Sequence, residues 1–157
     1  VITVILNALN QANDTNARFT ETSKLMDYCL NNWSQQEVTT AGQTPADKKS
    51  LAVAEGKQDR VALAMEKPVT LWVRSDMDST DLTIKSTVDS SLLDDQKITA
   101  PVHKNEKVGT VSVQLAQDTL GYVRKNEGAT TNLITKTAVE KANVFEILWQ
   151  KITNAFA

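Results

Sequence analysis

The sequence predicts a mainly β protein: a small antiparallel β-sandwich, preceded by one strand and one helix and followed by an amphipathic helix. Three observations predict it. From Ser50 to Lys125 short runs of alternating apolar and polar residues recur between turn signals. Ahead of them, Val1–Leu6 has the composition of a fully buried strand, and the chain from Ala17 to Trp33 follows a period near 3.6. Behind them, the segment ending in FEILWQKITNAFA returns to helical spacing.

Composition narrows the function. A chain of 157 residues with 41% hydrophobic residues can bury a modest core. The formal charge of −2, with both signs interspersed, gives no electrostatic footprint for nucleic acid. All apolar runs fall short of the roughly 18 to 20 residues that a membrane span needs. The single cysteine, Cys29, cannot form an internal disulfide.

Taken in order, Val1–Leu6 is β-branched and aliphatic throughout, and a strand of that kind needs neighbours to pair with. A polar stretch follows, in which Asp14, Thr15 or Asn16 can cap a helix. From Ala17, Phe19, Met26, Cys29, Leu30 and Trp33 fall close to one helical face. A strand and a packed helix are half of a sandwich rather than a domain. With valine at the start, and neither an initiator methionine nor a signal peptide, the chain is expected to be a processed or excised piece.

Cys29, between Met26 and Trp33 on the apolar face, is expected to be a small core residue. His103, the only histidine, lies in a turn-like stretch, and nothing in the sequence brings it to Cys29 as a catalytic base.

The polar stretch from Ser34 to Pro45 marks a linker or a first edge strand, with a boundary near Ser34. The runs SLAVAEG, DRVALAME, PVTLWVR, DLTIKSTV, KITAPV, VGTVSVQLAQ and TLGYVRK are the expected strands. In the sixth, Val111, Val113 and Leu115 share one face. The acidic cluster Asp76, Asp78, Asp81, Asp89, Asp94 and Asp95 invites a calcium reading. Counted from Asp76, an EF-hand needs Gly at its sixth position and Glu at its twelfth, where Asp81 and Thr87 stand. A solvated loop is expected instead.

At the end of the chain Phe145, Leu148, Trp149, Ile152 and Phe156 recur at spacings of three and four, with Lys141, Glu146, Lys151 and Asn154 largely off the stripe. Such a helix docks on the sandwich, binds a protein partner, or lies in a membrane interface with its indole at the headgroup level. The expected divisions are 1–34, 35–136 and 137–157.

Four stretches carry a family resemblance: the opening VITVILNALNQANDTNARFTETSKLMDYCLNNW, then SLAVAEGKQDRVALAMEKPVTLWV, KVGTVSVQLAQDTLGYVRK and AVEKANVFEILWQKITNAFA. In that order they resemble the C-terminal portion of the serine D-alanyl-D-alanine carboxypeptidases, the low-molecular-weight penicillin-binding proteins, most like Gram-positive members. The resemblance implies that residues 1–34 close an α/β transpeptidase-like (β-lactamase-like) domain, that 35–136 are a β-sandwich, and that 137–157 anchor it to the membrane.

The family's chemistry is acylation of a serine in Ser-x-x-Lys, assisted by Ser-x-Asn and Lys-Thr-Gly. No Ser-x-x-Lys occurs here, and Lys136-Thr137 is followed by Ala138. No catalytic, cofactor or metal residue is therefore assigned; Phe145, Leu148, Trp149, Ile152 and Phe156 are assigned to membrane binding. The implied partners are the remainder of the catalytic domain, the membrane surface on the outer face of the bacterial cell membrane and, for the parent enzyme, the peptidoglycan stem peptide. The competing expectation is a non-enzymatic β-sandwich interaction module with a partner-binding C-terminal helix.

Overall fold

The computed structural model describes residues 2–6, 8, 16–76, 81–116, 129–143 and 146. The chain divides into two compact units, Val1–Gln36 with Leu71–Asp78 and Glu37–Thr70 with Ser79–Ala157.

In the smaller unit, α1 (Ala17–Asn32) begins at Asn16, whose carbonyl, rather than its side chain, takes bonds from the N–H groups of Phe19 and Thr20. The helix leads without a loop into β1 (Trp33–Thr39): the Trp33 N–H closes on the Cys29 carbonyl while Trp33 itself is already extended. Trp33 is thus the first strand residue rather than the last helical one. Ala17 is the only buried residue of α1, and Cys29 is half-buried instead of lying in a core.

The strand expected at Val1–Leu6 does not form: residues 2–6 have no strand partner, and Ile2, Val4 and Leu6 are 95, 71 and 84% exposed. The cause is the one that makes such a strand need neighbours. Unpaired backbone donors and acceptors go to water unless another strand takes them.

The remaining strands are β2 (Ser50–Ala54), β3 (Arg60–Met65), β4 (Val69–Arg74), β5 (Leu82–Val88), β6 (Leu93–Asp94), β7 (Lys97–Thr99), β8 (Lys107–Leu115) and β9 (Ala129–Thr135). β1 pairs with β4, and the other seven form one sheet in the order β5-β8-β9-β3-β2-β7-β6. The mainly β, antiparallel-rich architecture is as the alternating pattern predicts, with β2 and β7 as a parallel exception.

β9 and β6 were not legible as strands. ATTNLIT lacks clean alternation because Leu133, Ile134 and Thr135 are all buried, and a two-residue strand has no period to detect. TLGYVRK lies outside the described residues.

The core of the sheet is Leu51, Val53, Val61, Leu63, Met65, Ile98, Ala100, Val102, Val108, Val111, Leu133 and Val139. Buried hydroxyls close backbone gaps in both sheets. Thr131 Oγ1 accepts from the Lys67 N–H, Thr39 Oγ1 accepts from the Val69 N–H, and Thr135 Oγ1 accepts from the Glu106 N–H while donating to the His103 carbonyl. Burying these hydroxyls unpaired would cost on the order of 1 to 3 kcal/mol each.

Candidate interface

Two surfaces stand out, one on each unit. On α1 the apolar stripe read from the sequence exists, but it faces solvent. Phe19 and Leu30 are 59 and 60% exposed, and Met26 and Trp33 are also exposed. Spacings of 7, 4 and 3 put these four side chains on one face of the helix and its strand exit. The Arg18 guanidinium lies 4.8 Å from the Phe19 ring centroid.

Strand β4, which belongs to this unit from Leu71 on, turns Val69, Leu71 and Val73 inward and Thr70, Trp72 and Arg74 outward. Trp72 is 63% exposed. Its neighbour Arg74 is held by two bonds of 2.6 Å to Asp76, whose carboxyl those bonds keep below the usual range. The Ser75 N–H donates to the Asn32 carbonyl and ties the end of β4 to the end of α1. Scattered exposed hydrophobes are ordinary; a contiguous aromatic and aliphatic stripe marks a surface that another body covers.

The second surface is a strap over the larger unit. The residues after β9 do not turn into a helix at 137, as the sequence reading expected. Val139 pairs with Val102 through two reciprocal bonds of 2.9 Å, and Lys141 bridges Gly56. The Glu140 carbonyl accepts from the Lys57 N–H, and the Ala142 N–H donates to the Glu55 carbonyl. The sheet margin therefore supplies partners that a first helical turn would have to forgo.

Val139 and Ala142 are buried beneath the strap, while Lys57–Glu140 at 2.6 Å and Lys141–Glu55 at 2.9 Å flank it as exposed ion pairs. The hydrogen bond between Lys57 and Glu140 raises the lysine's pKa and lowers the glutamate's. Helix begins later. The Asn143 N–H donates to the Glu146 carboxylate at 2.7 Å, half of a capping box, and Glu146 is helical.

Phe145, Leu148, Trp149, Ile152 and Phe156 lie outside the described residues. His103 is exposed in its turn, its N–H donating to Glu106. The acidic residues are dispersed: Asp76 pairs with Arg74, Asp89 caps the turn Ser90–Leu92 through the Ser91 N–H, and Asp94 lies in β6. The strap was missed because Thr137–Asn143 has no period of its own; the small Gly56 opposite it was the one available signal.

Among solved structures, the chain is similar to penicillin-binding protein 5 from Haemophilus influenzae, at 17% identity and a TM-score of 0.51 over 80% of this chain and 31% of that one. It is similar also to a peptidoglycan synthesis regulatory factor (PBP3) from Streptococcus pneumoniae, at 26% identity and a TM-score of 0.53 over 87% of this chain and 35% of that one. A D-alanyl-D-alanine carboxypeptidase, DacD from Francisella tularensis, aligns at 16% identity and a TM-score of 0.46 over 80% of this chain and 27% of that one. The chain thus spans about a third of the length of the solved proteins it matches. The family described as penicillin-binding protein 5, C-terminal domain, matches residues 33–141, from the first residue of β1 to the strap residue that bridges Gly56. This chain belongs to that family.

Proposed function

We propose that this chain is the C-terminal part of a serine-type D-Ala-D-Ala carboxypeptidase of peptidoglycan maturation, and that its own work is support and positioning. The observation that carries this is the exposed stripe of Phe19, Met26 and Leu30 on α1 with Trp33 at the start of β1. Burying each of these side chains is worth roughly 1.5 to 3 kcal/mol, which makes the stripe a natural seat for the rest of a catalytic domain.

In this reading the nucleophile and its Lys-Thr-Gly strand belong to that domain, since this sequence contains neither Ser-x-x-Lys nor Lys-Thr-Gly. The sheet unit is the pedestal. The strap fixes where the C-terminal segment leaves the sheet, and Phe145, Leu148, Trp149, Ile152 and Phe156 form the foot in the interface on the outer face of the cell membrane. No helix among the described residues is long and apolar enough to cross a membrane. In this reading the portion works extracytoplasmically, on the outer face of the bacterial cell membrane, and the substrate of the assembled enzyme is the peptidoglycan stem peptide.

The test is co-expression with the sequence encoded upstream of Val1. The two pieces are expected to co-purify and to be acylated by a fluorescent penicillin, with the label on the upstream piece. Phe19→Asp with Leu30→Asp should abolish co-purification. Co-purification that survives both changes would place the seat elsewhere.

A further inference from the structure

The outward face of β3, β2 and β7 carries small side chains flanked by cations. Register sets Arg60 of β3 opposite Ala52 of β2, and Ala52 opposite Lys97 of β7, a single row across three strands. Their neighbours Leu51, Val53, Val61 and Ile98 point into the core, so alternation turns Ser50, Ala52, Arg60 and Lys97 outward. Ser50 and Ala52 are too short to fill the space between the two long cations. Lys48 and the turn residues Asp95 and Gln96 close the ends of the resulting groove, whose volume is about 450 Å³.

The cations of this groove outnumber its carboxylates. Among the described residues Lys24, Lys57, Arg74 and Lys141 each have a carboxylate partner, while Lys48, Arg60 and Lys97 have none. The chain as a whole is −2, yet three cations here meet two carboxylates, Asp95 in the lining and Asp94, which stands opposite Lys97 on β6. Arg60 is also oriented: its Nε donates to Ser50 Oγ at 2.9 Å, which lays the guanidinium along the groove and leaves both terminal nitrogens to donate.

We propose that this groove is an anion site for a phosphate group, with the Arg60 fork as the directional donor and Lys48 and Lys97 as flanking charges. A carboxylate needs one forked partner; three cations converging on one trough suit a tetrahedral, more highly charged group.

The source of the phosphate is a soluble ester rather than a lipid headgroup, a choice that rests on the membrane-foot reading above. β2 and β7 run parallel, with their starts at the groove, and the chain beyond their ends carries Gly56 and Val102, which hold the strap. The groove therefore lies a strand's length, roughly 15 Å, from the root of the C-terminal segment.

The experiment is a titration of the isotope-labelled full chain with sodium phosphate and with glycerol phosphate at constant ionic strength, followed by amide NMR. Saturable shifts are expected at Lys48 to Ala52, Arg60 and Asp95 to Lys97, with acetate much weaker. Arg60→Gln should weaken binding roughly tenfold, the usual scale for losing one charge-assisted pair. Ala52→Leu, which fills the trough and leaves every charge, should weaken it comparably, while Lys85→Gln on β5 should change nothing. Shifts that fail to saturate, an equal response to acetate, or unaltered binding in Ala52→Leu would overturn the site.

Phosphatidylglycerol vesicles separate the two readings. If Phe145→Glu with Trp149→Glu still pellets with them but loses this on adding Arg60→Gln, the groove takes a headgroup and the soluble source is wrong. If the unaltered chain does not pellet yet binds phosphate, the foot falls and the groove stands.

Discussion

Gly56 and Gly109 are the residues whose missing side chains the sheet unit depends on most. A Cβ on Gly56 would sit 2.8 Å from Cγ1 of both Val139 and Val53, whereas one on Gly109 would sit 2.1 Å from the backbone oxygen of Thr87. Side chains can give way and a paired strand cannot. Gly56→Ala is therefore expected to cost about 1 to 3 kcal/mol in urea unfolding, with Gly109→Ala costing more. Equal losses would mean that β5 shifts as readily as a valine methyl.

The Lys57–Glu140 pair makes a separate prediction. Glu140 has its carboxyl lowered from 4.5, first by the hydrogen bond from Lys57, so its stabilisation is present above the unfolded pKa and is lost as pH falls through the lower folded value. Lys57 is raised from 10.5 by the same bond, so its share is present below the unfolded pKa and is lost as pH rises through the higher folded value. Both side chains are well exposed, so salt should weaken the effect. NMR titration should place the Glu140 midpoint below 4.5 and return it toward that value in Lys57→Met. An unmoved midpoint would dismiss the pair.

Among the elements, α1 and β9 make opposite predictions about the same kind of side chain. Leu133 in β9 is fully buried, and Leu133→Ala should cost roughly 2 to 5 kcal/mol. Leu30 in α1 is mostly exposed, so in this chain alone Leu30→Ser is expected within about 0.5 kcal/mol of neutral by the same unfolding measurement. A large loss from Leu30→Ser would show that the stripe already has a partner within this chain. Amide exchange should rank the elements in the same order, fast in α1 and slow in β3, β8 and β9, because protection follows burial of the ladder.

At the scale of the molecule, the proposed function assigns support and chemistry to different pieces. This chain by itself should give no covalent band with a fluorescent penicillin on a denaturing gel, and a band would place a nucleophile within it. Pelleting with anionic vesicles should be lost in Phe145→Glu with Trp149→Glu; persistence would move the foot away from that stripe.

The alternating runs determined a mainly β chain by themselves, because a half-buried strand writes its period of two directly into the residues. The α1 stripe was equally legible in its spacing from Phe19 to Trp33. What sequence could not decide was where those periods find their partners. Phe19, Leu30 and the Val1–Leu6 run carry apolar residues whose burial depends on a surface beyond their own element, and periodicity records a face without recording what covers it. The parallel pairing of β2 with β7, the sheet order that brings β9 between β8 and β3, and the capture of Val139 and Lys141 by Val102 and Gly56 all join residues far apart in the chain. Local propensity is silent about such contacts, so tertiary structure alone placed the strap and set Arg60 and Lys97 on either side of Ala52.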